Sequence, residues 1–184
     1  AEYFEWADGN SSSQDRVGIS VKLDGTKIVA STSSDDASAI IGVISANPSV
    51  VGDTAGCKWQ SKYERDDYNR YIWEEYTVTE WTVLATETEK EVLHSYQTDK
   101  IPSGLTAPDD ATVISKDDNN TTLMRKKLNS SFDESVTYVP RSDRKEWDTV
   151  GLMGKLRMTK GQKTGANWIK MKDISDTVEE WLVR

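Results

Sequence analysis

Three carboxylates fall within the opening stretch Ala1-Glu2-Tyr3-Phe4-Glu5-Trp6-Ala7-Asp8: Glu2, Glu5 and Asp8. A carboxylate can take or give a proton when an acyl bond is broken, so this crowd is the first place to look for general acid–base chemistry. The same residue types also make an ordinary solvated terminus, and spacing alone does not separate the two. The chain has one cysteine, Cys57, and one histidine, His94. Thiol nucleophiles want a base beside the sulfur, and His94 sits far along the chain in a polar stretch, so a Cys57–His94 pair has little support. One His and one Cys also fall short of a zinc cluster, and no metal is expected. Glycine-rich phosphate loops, HExxH, GxSxG and EF-hand spacings are all missing, which disfavours conventional hydrolases and nucleotide enzymes.

The positioning of any such group falls to a chain of 184 residues, 36% hydrophobic and 29% charged, which suits one globular domain over 1–184, with an appended arm or insertion. A net charge of -8 repels phosphate backbones, so nucleic acid is not an expected partner. The basic islands Met124-Arg125-Lys126-Lys127 and Lys160 to Lys163 read more readily as solvated faces than as binding patches. No apolar run approaches bilayer length, and the first residues lack the basic and apolar regions of a signal peptide, so no membrane association is expected. A single cysteine cannot form an internal disulfide, which fits a reducing compartment. Seven Trp and seven Tyr against two Phe favour half-buried surfaces that pack on a partner, or compensate a core poor in Leu and Phe.

The elements read as mainly β. Val17 to Leu23 alternates, Asp24-Gly25 signals a turn and Lys27 to Ala30 resumes the strand, predicting a hairpin. The apolar run Ile40-Ile41-Gly42-Val43-Ile44 predicts a buried strand, completing a compact meander. Trp59 to Tyr71 is open between a short helix and an irregular loop. Tyr76 to Leu84 reads as one or two strands. About 86–135 reads as a long irregular arm with short strands such as Thr112-Val113-Ile114. Val150 to Met158 alternates as another core strand, Trp168 to Ile174 alternates too, and Ser175 to Val183 is either a capped helical turn or a closing strand. The expected architecture is a distorted barrel or a pair of packed sheets with a long irregular arm.

Several ordered segments carry a resemblance. Ala1 to Asn10, Asp15-Arg16-Val17-Gly18, Leu23-Asp24-Gly25, Ile41 to Asp53, Tyr138-Val139-Pro140-Arg141, Glu146-Trp147-Asp148 and Val150 to Lys155 together resemble the autoproteolytic intramolecular-chaperone domain at the C-terminus of Bacillus phage tail spikes. The stretch 87–135 contributes no segment to the resemblance.

The resemblance implies a homotrimeric domain, made as the tail of a longer chain, that helps three copies of the upstream tail-spike segment assemble and then cuts the backbone at its own N-terminal boundary. It implies that Glu2 belongs to the cleavage centre, that the cut falls at a Ser-Asp step just before the Ala-Glu-Tyr-Phe-Glu-Trp motif, and that ATP binds the assembled domain and promotes release. The step itself is absent from these residues. Released in the host bacterial cytoplasm, such a domain is expected to be missing from the mature virion. Phosphate-loop spacing is also absent, so an ATP site would draw on scattered cations such as Arg141, Arg144, Lys155 or Arg157 with a Trp or Tyr face for adenine. The competing reading is a permanent structural or receptor-binding fibre tip without activity, its aromatic excess facing the host.

Overall fold

The computed structural model describes residues 1–54, 61–85 and 90–184. Thirteen strands run among them: β1 (Glu2–Glu5), β2 (Ser20–Asp24), β3 (Lys27–Ala30), β4 (Ile40–Ile44), β5 (Trp73–Glu75), β6 (Val78–Ala85), β7 (Lys90–Gln97), β8 (Thr112–Ile114), β9 (Met124–Lys126), β10 (Trp147–Gly151), β11 (Gly154–Thr159), β12 (Ile169–Asp173) and β13 (Val178–Val183). The fold is mainly β, as the patterning predicts. The chain divides into two compact units, Ala1–Trp59 with Ser135–Arg184, and Gln60–Glu134.

In the first unit an antiparallel sheet runs in the order β1-β10-β4-β2-β3. Its buried centre is Trp6, Val21, Ile28, Ile44 and Val150, with Phe4, Ile41 and Leu152 packed against it. Burying each large apolar side chain stabilises by about 1.5–3 kcal/mol, so these residues from both ends of the chain hold the sheet. The expected hairpin forms, Leu23 facing Ile28 and Asp24 facing Lys27. A meander does not, because β4 pairs with β2 on the side away from β3. The polar connection 31–39 carries the chain back across β2, and its apolar successor Ile40 to Ile44 takes the more buried central place.

Val150 to Met158 is two strands rather than one. The chain turns at Leu152-Met153, and Gly154 at φ +99° closes the turn in a conformation that L side chains rarely adopt. β10 stays in the five-stranded sheet while β11 opens a second sheet ordered β11-β13-β12. Gly18 straps the two together: its N–H donates to Ile44 O and its carbonyl accepts from Thr159 N, each at 3.0 Å. The open C-terminal alternative resolves to the closing strand, β13, in the middle of this sheet. Ser175 Oγ accepts from Thr177 N and Val178 N, so the apparent helix cap is a turn into a strand.

The second unit holds a three-stranded sheet, β7-β6-β8, and a two-stranded one, β5-β9. β6 and β7 pair over eight residues each, from Val78 opposite Gln97 to Ala85 opposite Lys90, longer than the short strands expected beyond residue 86. Ser61 lies in a 3-10 turn, while residues 62–71 form isolated bridges, Tyr63 with Leu128 and Arg65 with Tyr71, and no helix, so the irregular alternative holds for 62–71. All four sheets are open, and no closed barrel exists among the described residues.

Candidate functional site

The N-terminal strand is held on both sides. β10 pairs with it antiparallel, Glu2 facing Val150 and Glu5 facing Trp147. Segment 50–53 lies along the other side near its start: Ala1 N donates to Val50 O at 3.0 Å, Gly52 N donates to Ala1 O at 2.8 Å, and Tyr3 N donates to Gly52 O at 3.3 Å. Further on, Trp6 N donates to Glu146 O and Ala7 N to Ile28 O. The period of two then places Glu2, Phe4 and Trp6 on one face, with Phe4 and Trp6 on the core and Glu2 at its exposed rim.

The three N-terminal carboxylates have separate fates. Glu5 is ion-paired with Lys27 at 2.8 Å. Asp8 takes two hydrogen bonds from Arg16, Nη1 to Oδ1 at 2.9 Å and Nη2 to Oδ2 at 2.7 Å, and this holds its pKa down at about 2. Glu2 meets no hydrogen-bond donor or cation among the described residues. Its side chain instead lies over Gly52, where a Cβ would stand 3.0 Å from Glu2 Cγ and 3.3 Å from Oε1. A cavity of about 280 Å³ opens beside it, lined by Tyr3, Glu5, Thr26, Asp53 and Trp147 as well as Glu2.

Behind the cavity, Arg141 Nη1 donates to Asp53 Oδ2 at 2.8 Å and also to the Asp53 carbonyl. The guanidinium lies 3.7 Å from the Trp147 ring centroid, a favourable cation–π stack. Arg141 Nε and Trp147 Nε1 are both buried without an acceptor. Sequence reasoning gave Gly52, Asp53 and Trp147 no role, although the segments holding them carried the resemblance.

His94 stacks on Trp81 with ring centroids 5.0 Å apart, and Cys57 lies outside the described residues. Arg125 is gripped by Glu74 and Asp99, Lys127 pairs with Glu64, and Lys126 sits 3.9 Å over the Tyr71 ring, so this basic island is neutralised locally. No group of three or more His, Cys, Asp and Glu able to hold a metal occurs among the described residues. Of the cations considered for ATP, Arg141 is held by Asp53 and Arg144 by Glu146. Lys155 and Arg157 flank a cavity of about 540 Å³, but Glu180 lines it too and no aromatic ring is among its described lining residues. The two arginines beside an aromatic ring, Arg141 and Arg144 at Trp147, are thus already held by carboxylates, and the cavity flanked by the other two cations offers no ring for a stacked adenine among its described lining residues.

A family model described as Peptidase_G2, IMC autoproteolytic cleavage domain matches residues 1–181. The chain belongs to this family. Membership of Peptidase_G2 makes it a self-cleaving peptidase domain of the intramolecular-chaperone kind, as the resemblance in its segments implies. Two curated relatives are the pre-neck appendage proteins of Bacillus phage phi29, 29% identical over 156 residues, and Bacillus phage B103, 24% identical over 155 residues. The alignments cover 85% and 84% of this Peptidase_G2 chain, which spans only 13% of the length of either relative. The C-terminal fragment of bacteriophage phi29 gene product 12 shares the fold, with a TM-score of 0.62, 22% identity and coverage of 100% of this chain and 99% of the fragment. The pre-mature phi29 gene product 12 matches at a TM-score of 0.63 and 21% identity, covering all of this chain and 21% of the other.

Proposed function

We propose that this domain is the C-terminal assembly chaperone of a phage appendage protein, that it trimerises, and that it frees itself by cutting the peptide just upstream with Glu2 in the cleavage centre. The observation carrying this reading is the state of Glu2. Of the three carboxylates at the boundary it alone is unneutralised, and it rests on a platform built from distant chain. A base must be free to take a proton, whereas Glu5 and Asp8 are engaged by cations. In hydrolysis water adds across the peptide, leaving a carboxyl on the upstream chain and an amine on the domain. Glu2 would take the water proton and pass it to the departing nitrogen, or assist attack by an upstream Ser or Asp side chain.

The homotrimer reading is supported by the β6–β7 ribbon, which exposes Leu84 and Leu93 on one face and Val83 and Val92 on the other. Clamping three C-termini in register raises the effective concentration of the upstream segments, which lowers the cost of closing a high-contact-order assembly. Release in the host bacterial cytoplasm and absence from mature particles follow from this reading. ATP-promoted release belongs to it through the family resemblance alone, and would act on the assembled domain.

The test is the intact mass of a precursor carrying the natural upstream segment, beside the same precursor with Glu2→Ala. Two fragments from the parent and one uncut chain from the variant are expected. An uncut parent that is folded and trimeric would favour the permanent fibre tip.

A further inference from the structure

Arg141 and Asp53 stand 88 positions apart in sequence, yet they are hydrogen-bonded, and Asp53 lines the cavity beside Glu2. The route from one to the other is short. Asp53 adopts φ +51°, a backbone state uncommon for a residue other than glycine, and follows directly on Gly52. Gly52 gives and receives the two main-chain hydrogen bonds that hold the start of β1, and its bare Cα carries the Glu2 side chain. Val50 O receives the Ala1 nitrogen. In a longer chain the same nitrogen is an amide N–H, so that contact also fixes the direction in which the upstream peptide leaves.

We propose that Arg141 is a positioning residue for the self-cleavage: by gripping Asp53 it locks segment 50–53 against the first strand, and so sets both the Glu2 carboxylate and the peptide preceding Ala1. The inference rests on the reading of Glu2 above. The guanidinium suits the task because one nitrogen reaches both the carboxylate and the carbonyl of Asp53 while the flat face stacks on Trp147, whose backbone pairs with Glu5 of β1. A lysine ammonium cannot reproduce this combination of reach and stacking. The clamp thus links segment 50–53 to β10 on the opposite side of β1.

An ordinary stabilising ion pair would look similar, and the molecule contains its own control. Arg16 is 11% exposed, as Arg141 is, takes an Asp partner in Asp8, and lies 4.3 Å over the Trp6 ring. Among the described residues its partner is hydrogen-bonded to Arg16 and Asn10, and to neither segment 50–53 nor Ala1. If Arg141 merely stabilises the unit, removing either arginine should have the same effect on cutting.

The experiment is a cleavage time course by intact mass on the precursor with its upstream segment, for the parent, Glu2→Ala, Arg141→Ala, Arg141→Lys, Asp53→Asn and Arg16→Ala, with thermal unfolding of each. Displacing reacting groups by about an ångström costs on the order of a hundredfold in rate, so Arg141→Ala should cut about ten- to a hundredfold more slowly than the parent. Arg16→Ala should cut at close to the parental rate despite a comparable fall in melting temperature. Added methylguanidinium should restore part of the rate to Arg141→Ala and none to Glu2→Ala. Should Arg141→Ala fail to fold, Arg141→Lys and Asp53→Asn carry the comparison, each expected to slow cutting. Folded clamp variants that cut at the parental rate, or no more slowly than Arg16→Ala, would overturn the assignment. An uncut parent would remove the reading of Glu2 itself, and the clamp's role with it.

Discussion

Gly52 is the residue on which the placement of Glu2 most directly depends. A methyl group there would press on Glu2 Cγ at 3.0 Å, inside ordinary contact, so the Glu2 side chain must give by a few tenths of an ångström. Gly52→Ala should therefore slow self-cleavage about tenfold or more while changing the melting temperature little, read by intact mass and thermal unfolding of the same precursor. Asp8 gives a pH prediction of definite sign. Its folded pKa of about 2 lies below the ordinary 3.8, first through the Arg16 hydrogen bond, so its stabilisation is complete above pH 4 and fades as pH falls toward 2. Asp148 acts in the opposite sense: burial raises its pKa, against the hydrogen bond from Trp6, so its share is present at low pH and lost as pH rises through its folded value. Asp8→Asn should flatten the loss of melting temperature between pH 4 and 2, by an amount within the roughly 0–1 kcal/mol of exposed ion pairs. Glu2 could be singled out in the sequence as a candidate because it sits in a linear motif. The pairing of Asp53 with Arg141 was not, since neither periodicity nor spacing reports a contact across 88 positions.

The strands that alternate cleanly were readable, and the errors arose where alternation carries no news. Leu152 and Met153 make a two-residue turn of even parity, so the inward set Val150, Leu156 and Met158 keeps its phase across a break that sends β10 and β11 into different sheets. Only the glycine hinted at it. Gly154→Ala should cost about 1–2 kcal/mol in urea unfolding, because φ +99° is strained for any side chain. β7 was hard to read because apolar and polar residues share both faces of the ribbon: Val92 shares one with His94 and Tyr96, and Leu93 shares the other with Glu91 and Ser95. In the large sheet, Trp6→Phe keeps most of the buried ring but deprives half-buried Asp148 of the Nε1 donor 2.7 Å away. That loss should cost about 1–3 kcal/mol, measurable by the same unfolding curves.

For the molecule as a whole, trimerisation predicts a light-scattering mass near three times the 20.7 kDa of the chain for the separate domain, and three times the precursor mass while the upstream segment is still attached. A monomer at micromolar concentration would remove the register-clamp reading and leave the cleavage chemistry standing. The overall class, mainly β, was plain from composition and patterning, while the strand order was not, because the large sheet is sewn from both ends of the chain. That sewing sets a clock. The first strand gains its platform only when residues 50–53 exist, and its other flank and the arginine clamp only when residues 141–150 have left the ribosome, after everything between has been made. At typical elongation rates the peptide preceding Ala1 is out in the cell for on the order of ten seconds before both flanks of the first strand can be assembled. On the proposed reading, translation itself would keep a nascent spike from being severed before its chaperone is finished.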